Sequence, residues 1–123
     1  MRIGVDMVRV SQIAHSLSIS RKLASRVFGR AERENAAQLP LRRSYEFLAG
    51  RFAVKEAVLK AMSARLTGAV SLCDIETINA QDGCPELHLY ASALSASQSL
   101  GVSQWMVSIS HENDLAVAIV IAQ

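Results

Sequence analysis

The spacing of apolar positions changes along the chain, and each change marks a predicted element. Arg2–Val8 is a short apolar run interrupted by Gly4 and Asp6, a pattern typical of a strand. Arg43–Ser63 carries the strongest helical pattern, because its apolar residues recur at helical spacing among good helix formers. This helix would be about 30 Å long, and the residues expected to face the core are Phe47, Val54, Val58 and Met62.

Weaker helical patterns lie between these two elements. Ser11 is placed to act as the N-cap of a helix that follows the first strand. Ser20–Gln38 has helical spacing, but Gly29 weakens its middle, so the pattern fits either one helix or two short ones. Pro40 ends this segment.

Strand-like periods dominate after Gly68. The predicted strands are Ala69–Ala80, Pro85–Tyr90, Ser103–Ser110 and Leu115–Ala122, with one small-residue helix at Ala91–Leu100. Polar turns are expected at 81–83 and 111–114, and the last strand is apolar almost throughout, as a strand buried on both faces would be. The order of elements predicts an α+β fold, in which an antiparallel sheet packs with one long and several shorter helices.

Composition narrows the class of protein. The 123 residues are 50% hydrophobic and 20% charged, which indicates a single folded domain over residues 1–123 rather than a disordered chain. A net charge of +2 and an aromatic content of 5% argue against a nucleic-acid-binding module. No apolar stretch reaches the roughly 20 residues of a membrane span, and a carboxylate at position 6 argues against a signal peptide.

The two cysteines, Cys73 and Cys84, do not form a metal-binding pattern. They are typical of reduced thiols in a cytoplasmic protein, and a structural disulfide is the less favoured alternative. We therefore expect a cytoplasmic location.

Three sets of residues could carry chemistry. Glu56 and Lys60 are four positions apart and share a helix face, which is also the spacing of an ordinary solvent-exposed ion pair. Asp6 lies in an apolar strand, so it either faces solvent or has a cation partner. Asp6 and Glu56 together would suit Mg²⁺, although their separation in sequence does not show whether they meet. His111 could be a phosphate donor, a general base or a structural residue.

The strongest clue is a resemblance to a known family. Gly4-Val5-Asp6, the segment Leu48–Ala61 (LAGRFAVKEAVLKA) and Val107–His111 (VSISH) follow one another in a familiar order. Together they resemble the holo-[acyl-carrier-protein] synthase family, the short, single-domain type of 4′-phosphopantetheinyl transferase. Asp74-Ile75-Glu76 and Gly83-Cys84-Pro85 fall where that family has a D-I-E strand and a G-K-P turn. The resemblance covers nearly the whole chain, and it implies the fold of that family.

The resemblance also implies an activity. Such an enzyme transfers the 4′-phosphopantetheine arm of coenzyme A to a serine of an apo acyl carrier protein and releases adenosine 3′,5′-bisphosphate. The implied catalytic residues are Asp6 and Glu56 as Mg²⁺ ligands and Lys60 as a contact to the phosphates. His111 would lie near the 3′-phosphate end of coenzyme A, with Arg51 as a weaker candidate for the same ligand. The base that accepts the serine proton stays open between Glu56 and a metal-bound water.

The resemblance implies partners as well. Family members form homotrimers, with each active site between neighbouring subunits. The carrier protein could serve fatty acid biosynthesis, and with it lipid biosynthesis, or a polyketide pathway or another pathway. A basic cluster could attract the acidic helix of a carrier, or it could be a solvated helix face; it consists of Arg21, Lys22, Arg26, Arg30 and Arg33, supplemented by Arg9.

Several positions depart from the family pattern. The usual Gly-Thr-Gly turn after the central motif is Ser63-Ala64-Arg65 here. The other departures are Arg9 for an acidic residue, Gln12 for Arg, Gly29 for Thr and Cys84 for Lys. Together the departures predict an altered coenzyme A rim and an altered carrier-docking surface. The changed turn at Ser63-Ala64-Arg65 motivates an alternative, in which a catalytically degenerate relative binds coenzyme A or a carrier without transfer.

Overall fold

The computed structural model describes residues 1–123 and has five strands and six α-helices. In chain order they are β1 (Arg2–Arg9), α1 (Val10–Ile19), α2 (Arg21–Val27), α3 (Arg30–Ala37), α4 (Leu41–Ala61), α5 (Ala64–Thr67), β2 (Ile75–Asn79), β3 (Pro85–Leu89), α6 (Ala91–Ser99), β4 (Trp105–Glu112) and β5 (Leu115–Ala122). One antiparallel sheet has the order β1-β5-β4, and β2 and β3 form a separate antiparallel hairpin. The predicted α+β fold is therefore confirmed.

The long helix α4 packs on one face of the three-stranded sheet, and small residues allow a close contact. Ala53 and Ala57 of α4 are fully buried. A Cβ atom at Gly4 of β1 would lie 1.9 Å from the carbonyl oxygen of Ala57. Because side chains alternate along a strand, Asp6 points from β1 toward the same helix as Gly4 does. Gly4 therefore brings Asp6 against the last turns of α4.

The structure decides between the two alternatives for the segment that follows α1. Ser20–Gln38 forms two helices, which separate at Phe28 and Gly29. A Cβ at Gly29 would lie 2.1 Å from Oε2 of Glu76, and this carboxylate accepts a hydrogen bond from the Ala31 N–H in the first turn of α3. Glu76 thus supplies from β2 the N-terminal capping bond that a Thr side chain at position 29 would be placed to make.

The expectation that Ser11 caps the first helix is wrong. The helix begins one residue earlier, at Val10, and Ser11 donates from its N–H and its hydroxyl to the carboxylate of Asp114, at 3.0 and 2.6 Å. The cap comes from the turn between β4 and β5, which is distant in sequence, so a local pattern could not reveal it.

Two C-terminal elements also differ from expectation. The strand predicted over Ala69–Ala80 is limited to β2, because a 3-10 turn at Leu72–Asp74 precedes it. The predicted turn at 111–114 is shortened to Asn113 and Asp114, with Asn113 in the left-handed region at φ 53°. His111 consequently lies within β4 rather than in a turn.

The strand β5 is buried on one face only, although its sequence predicts burial on both. Its inward residues are fully buried, namely Ala116, Ala118, Val120 and Ala122. Its outward residue Ile119 is 38% exposed and continues an apolar surface. We name this surface the outer sheet face, and it comprises Ile3, Val5, Met7, Met106, Val117, Ile119 and Ile121. Nothing in the chain itself covers it.

Two further facts concern the whole chain. None of the helices combines the length and the apolar character that a membrane span requires. Cys73 and Cys84 both carry free thiols.

Candidate active site

Asp6, Glu56 and Lys60 meet where β1 crosses the C-terminal half of α4. Lys60 Nζ donates to Oδ1 of Asp6 at 2.8 Å and to the carbonyl oxygen of Val5 at 3.1 Å. The cation partner that the burial of Asp6 requires is therefore Lys60. Lys60 forms its ion pair with this distant carboxylate and not with Glu56 one turn away on the same helix.

Asp6 and Glu56 line one cleft of about 420 Å³. Helix α1 contributes the opposite wall, and the full lining is Asp6, Met7, Val8, Gln12, Ile13, His15, Ser16, Phe52 and Glu56. Partial burial raises the pKa of Glu56, the negative charge of Asp6 raises it further, and Lys60 lowers it. Two like charges thus face one half-buried cleft, an arrangement that a bound cation would relieve.

The donor set fits magnesium better than a metal that needs a protein cage. The chain has no group of three or more His, Cys, Asp or Glu side chains that could enclose an ion. Zinc is usually bound by three or four protein ligands. Mg²⁺ is commonly held by one or two carboxylates, with water and substrate phosphates completing its octahedron. Asp6 and Glu56 would be such a pair.

Arg51 and His111 do not line this cleft. Arg51 is 5% exposed, donates from Nη2 to Oδ1 of Asn79 at 2.9 Å and lies 3.9 Å above the ring of Phe47. His111 is exposed, and its Nε2 lies 2.9 Å from the carbonyl oxygen of Glu46 in the first half of α4. Glu46 and Glu56 are separated by about 15 Å along the helix axis. The predicted site residues thus form two separate groups within one chain.

A buried ion pair beside the cleft was not predicted. Lys55 and Glu32 are both fully buried, with Lys55 Nζ 2.7 Å from Oε1 of Glu32. Lys55 also donates to the carbonyl oxygens of Leu72 and Ile75. Glu32 accepts from the N–H groups of Gly29 and Thr77, each at 3.0 Å. These bonds attach α3 and the start of β2 to α4. The only sequence signal was a Glu three residues after Gly29, the spacing of a capping box.

Nothing in the sequence distinguished His15, which lines the cleft, and Gln12, another lining residue, stood out only as a departure from the family pattern. Their positions follow from α1, because residues three apart lie on the same side of a helix. The packing of α1 against α4 and β1 decides that this side faces the cleft of Asp6 and Glu56. Only the packed structure could therefore have identified them.

Comparison with known proteins gives a consistent result. A family model described as the 4′-phosphopantetheinyl transferase superfamily matches residues 2–120. Proteins named holo-[acyl-carrier-protein] synthase from Desulfovibrio desulfuricans and Salinispora arenicola are 38% identical to this chain over 122 and 121 residues. The matches cover 98% of this chain and 95% and 96% of those proteins.

Solved structures resemble this chain over its length. The crystal structure of holo-[acyl-carrier-protein] synthase from Neisseria meningitidis superimposes with a TM-score of 0.88 at 29% identity, and the match covers 99% of this chain and 97% of that chain. A complex of the Chronobacterium ammoniagenes synthase with coenzyme A gives a TM-score of 0.84 at 32% identity, covering 99% and 96%. The similarity thus extends over both groups of site residues.

Proposed function

This chain belongs to the holo-[acyl-carrier-protein] synthase family of the 4′-phosphopantetheinyl transferase superfamily, and from that premise we propose that it transfers the 4′-phosphopantetheine arm of coenzyme A to a serine of an apo acyl carrier protein. The whole chain, residues 1–123, would act as one catalytic domain. The observation that carries the proposal is the convergence of Asp6 and Glu56 on one cleft, with Lys60 beside them.

Asp6 and Glu56 would hold a Mg²⁺ ion at this cleft. When bound, the ion supplies neutralisation of the diphosphate charge and orients the leaving group. The remaining requirement is a second positive charge that reaches the same phosphates. Lys60 lies one helical turn from Glu56 and is half exposed, so its ammonium can serve as that charge.

The chemistry needs no nucleophile from this chain. The serine hydroxyl of the carrier gives up its proton to a base, either Glu56 or a water of the cleft, while its oxygen attacks the phosphorus that bears the pantetheine arm and a new P–O bond forms. The P–O bond to the nucleotide breaks, and adenosine 3′,5′-bisphosphate leaves with that electron pair. Because phosphoryl transfer depends mainly on positioning and charge stabilisation, a cleft with two carboxylates and a lysine is adequate for it.

We further propose that the working enzyme is a homotrimer, with His111 of one subunit near the cleft of the next. Two features support this assembly. The outer sheet face is one contiguous apolar surface, whereas exposed apolar side chains are usually scattered singly. His111, implied as a contact of the 3′-phosphate end of coenzyme A, does not line the cleft of Glu56 in the same chain and lies instead at Glu46, about 15 Å from Glu56 along α4. The number of subunits comes from the family resemblance.

The acidic carrier would dock on helix α2. Arg21, Lys22 and Arg26 of this helix are exposed and form no ion pair, whereas Arg30 of α3 is paired with Glu34 at 2.9 Å. An apolar cavity between α1 and α2 shares Ile13, Ser16 and Phe52 with the cleft, so α2 lies beside the site. Charge complementarity at this position would bring the carrier serine toward Glu56.

The decisive experiment is modification of a carrier protein. The purified chain is incubated with coenzyme A, MgCl₂ and apo acyl carrier protein, and the intact mass of the carrier is measured. We expect a gain of one phosphopantetheine arm, and we expect chelation of the metal to abolish it. If the wild-type chain binds coenzyme A but adds no mass to the carrier, it is a degenerate relative and the proposal is wrong.

Glu56→Gln tests the metal role in the same assay. The neutral amide is a poorer ligand for Mg²⁺, so activity should fall by at least 100-fold. Glu34→Gln is the matched control, because Glu34 is exposed on α3 and does not line the cleft. MgCl₂ should also raise the melting temperature of the wild type and of Glu34→Gln but not that of Glu56→Gln. Equal activity of the two variants would contradict the assignment.

A further inference from the structure

The ammonium group of Lys60 forms an ion pair with Asp6, one of the two carboxylates that would bind the metal. Its ammonium is 2.8 Å from Oδ1 of Asp6, and its only other partner is the carbonyl oxygen of Val5 at 3.1 Å. The side chain of Lys60 is 56% exposed, whereas that of Asp6 is 16% exposed. A fixed carboxylate is thus held by a cation that lies at the edge of the cleft and can leave it.

We propose that Lys60 has two successive partners. Before the metal binds, the ammonium of Lys60 holds the carboxylate of Asp6 in the cleft. When Asp6 binds Mg²⁺, the ion pair breaks and Lys60 becomes available to the phosphates of coenzyme A. This inference rests on the proposed function, since it concerns the same metal site. It goes further by assigning an order, in which the metal frees the lysine that the nucleotide then engages.

The charges of the cleft explain why Lys60 is needed before the metal arrives. Asp6 and Glu56 face the same space, and the negative charge of Asp6 acts on Glu56. Without a cation, their repulsion would favour a rotamer of Asp6 that points away from the cleft. The ammonium of Lys60 offsets this repulsion and keeps the carboxylate directed at the position where the metal would sit.

The same charges explain why Lys60 leaves. A divalent cation beside Asp6 repels an ammonium that is bonded to the same carboxylate. Asp6 belongs to a strand that is hydrogen-bonded on one side to β5 and packed on α4, so the backbone of Asp6 cannot move away from the ion. Lys60 has a flexible stem, and water can replace the one carbonyl bond it gives up. The lysine is therefore the partner that moves.

The chain contains three lysines, and they make a controlled experiment possible. Lys22 is exposed on α2, Lys55 is fully buried, and Lys60 is bonded to Asp6. The full chain is treated briefly with an acetylating reagent, with MgCl₂ or with NaCl at equal ionic strength, and acetylation at each lysine is measured by mass spectrometry. Binding of Mn²⁺ as a magnetic stand-in is measured in parallel by electron paramagnetic resonance.

We expect Mg²⁺ to increase acetylation of Lys60 at least threefold, to leave Lys22 unchanged, and to leave Lys55 unmodified. In Asp6→Asn, Lys60 should be acetylated rapidly without metal, and Mg²⁺ should have no further effect. If Mn²⁺ binds while acetylation of Lys60 stays constant, the exchange is wrong and the metal site stands. If Mn²⁺ does not bind to the chain, both the exchange and the proposed metal site are overturned.

Discussion

Lys55 and Glu56 are neighbours in the sequence and have opposite surroundings. Lys55 is fully buried and bonded to Glu32 and two carbonyl groups. Glu56 faces the cleft, where burial and the charge of Asp6 raise its pKa. Successive residues of a helix point about 100° apart, so one face of α4 can hold a structural ion pair while the next carries a candidate metal ligand.

At this scale we predict that Lys55→Met destabilises the fold by about 3–5 kcal/mol, because Glu32 is left as an uncompensated buried charge. The free energy of unfolding is measured by denaturant titration. The double variant Glu32→Gln/Lys55→Met should recover part of the loss, since it removes the unpaired charge.

The matched control is Arg30→Ala, which breaks the exposed Arg30–Glu34 pair. It should change the free energy of unfolding by less than about 0.5 kcal/mol. If Lys55→Met costs no more than this control, the buried pair does not support α4 as we infer.

At the scale of elements, the cleft is an assembly of β1, α1 and α4. β1 supplies Asp6, α4 supplies Glu56 and Lys60, and α1 closes the opposite side. The carboxylate of Asp114 anchors the first turn of α1, so the hairpin of β4 and β5 also supports the cleft wall. The departure at Ser63-Ala64-Arg65 begins after the last residue of α4 and leaves these contacts in place.

Our prediction on carrier docking concerns the basic residues of helix α2. Reversal of two charges, Arg21→Glu with Arg26→Glu, should raise the Michaelis constant for the carrier at least tenfold, while the affinity for coenzyme A stays unchanged. Steady-state kinetics with a varied carrier concentration measure the first quantity, and calorimetry measures the second.

Arg30→Glu on α3 is the comparison variant, since the charge of Arg30 is already offset by Glu34. Its effect on the carrier should be smaller than that of the α2 reversal. An unchanged Michaelis constant in the α2 variant would show that the basic residues of this helix are only a solvated surface.

At the scale of the whole molecule, the outer sheet face is the feature that a single chain leaves unexplained. The central strand β5 is buried against α4 on one side and is apolar but accessible on the other. Burial of an apolar sheet face between subunits would remove it from water. The same assembly would bring the two groups of site residues together across a subunit boundary.

We predict that the wild-type chain is trimeric and that Ile119→Lys shifts it toward monomers, because a lysine would be buried at the centre of the interface. Light scattering after size-exclusion chromatography measures the mass, and the carrier assay should show a parallel loss of activity. Leu94→Lys on α6 is the matched control, with 43% exposure against 38% for Ile119. A monomeric and fully active wild type would refute this assembly.

The sequence alone was sufficient to predict those features that depend on residues close together in the chain. Periodicity predicted the long helix, β1, the β2–β3 hairpin and the α+β class, because side-chain spacing reflects the local backbone. Motifs identified the family and selected Asp6, Glu56 and Lys60. Three predicted boundaries were wrong, namely the helix cap at Ser11, the strand over Ala69–Ala80 and the turn at 111–114. Contacts with residues distant in sequence decide where these elements begin and end.

Only the tertiary structure decided which side chains meet. Asp6 and Lys60 are 54 positions apart, and their contact exists because Gly4 lets β1 approach the backbone of α4. The pairing of Lys55 with Glu32, the cap from Asp114 and the one-sided burial of β5 likewise depend on how separate elements pack. Spacing along the chain determines the face on which a side chain lies, whereas its partner is determined by the element packed against that face.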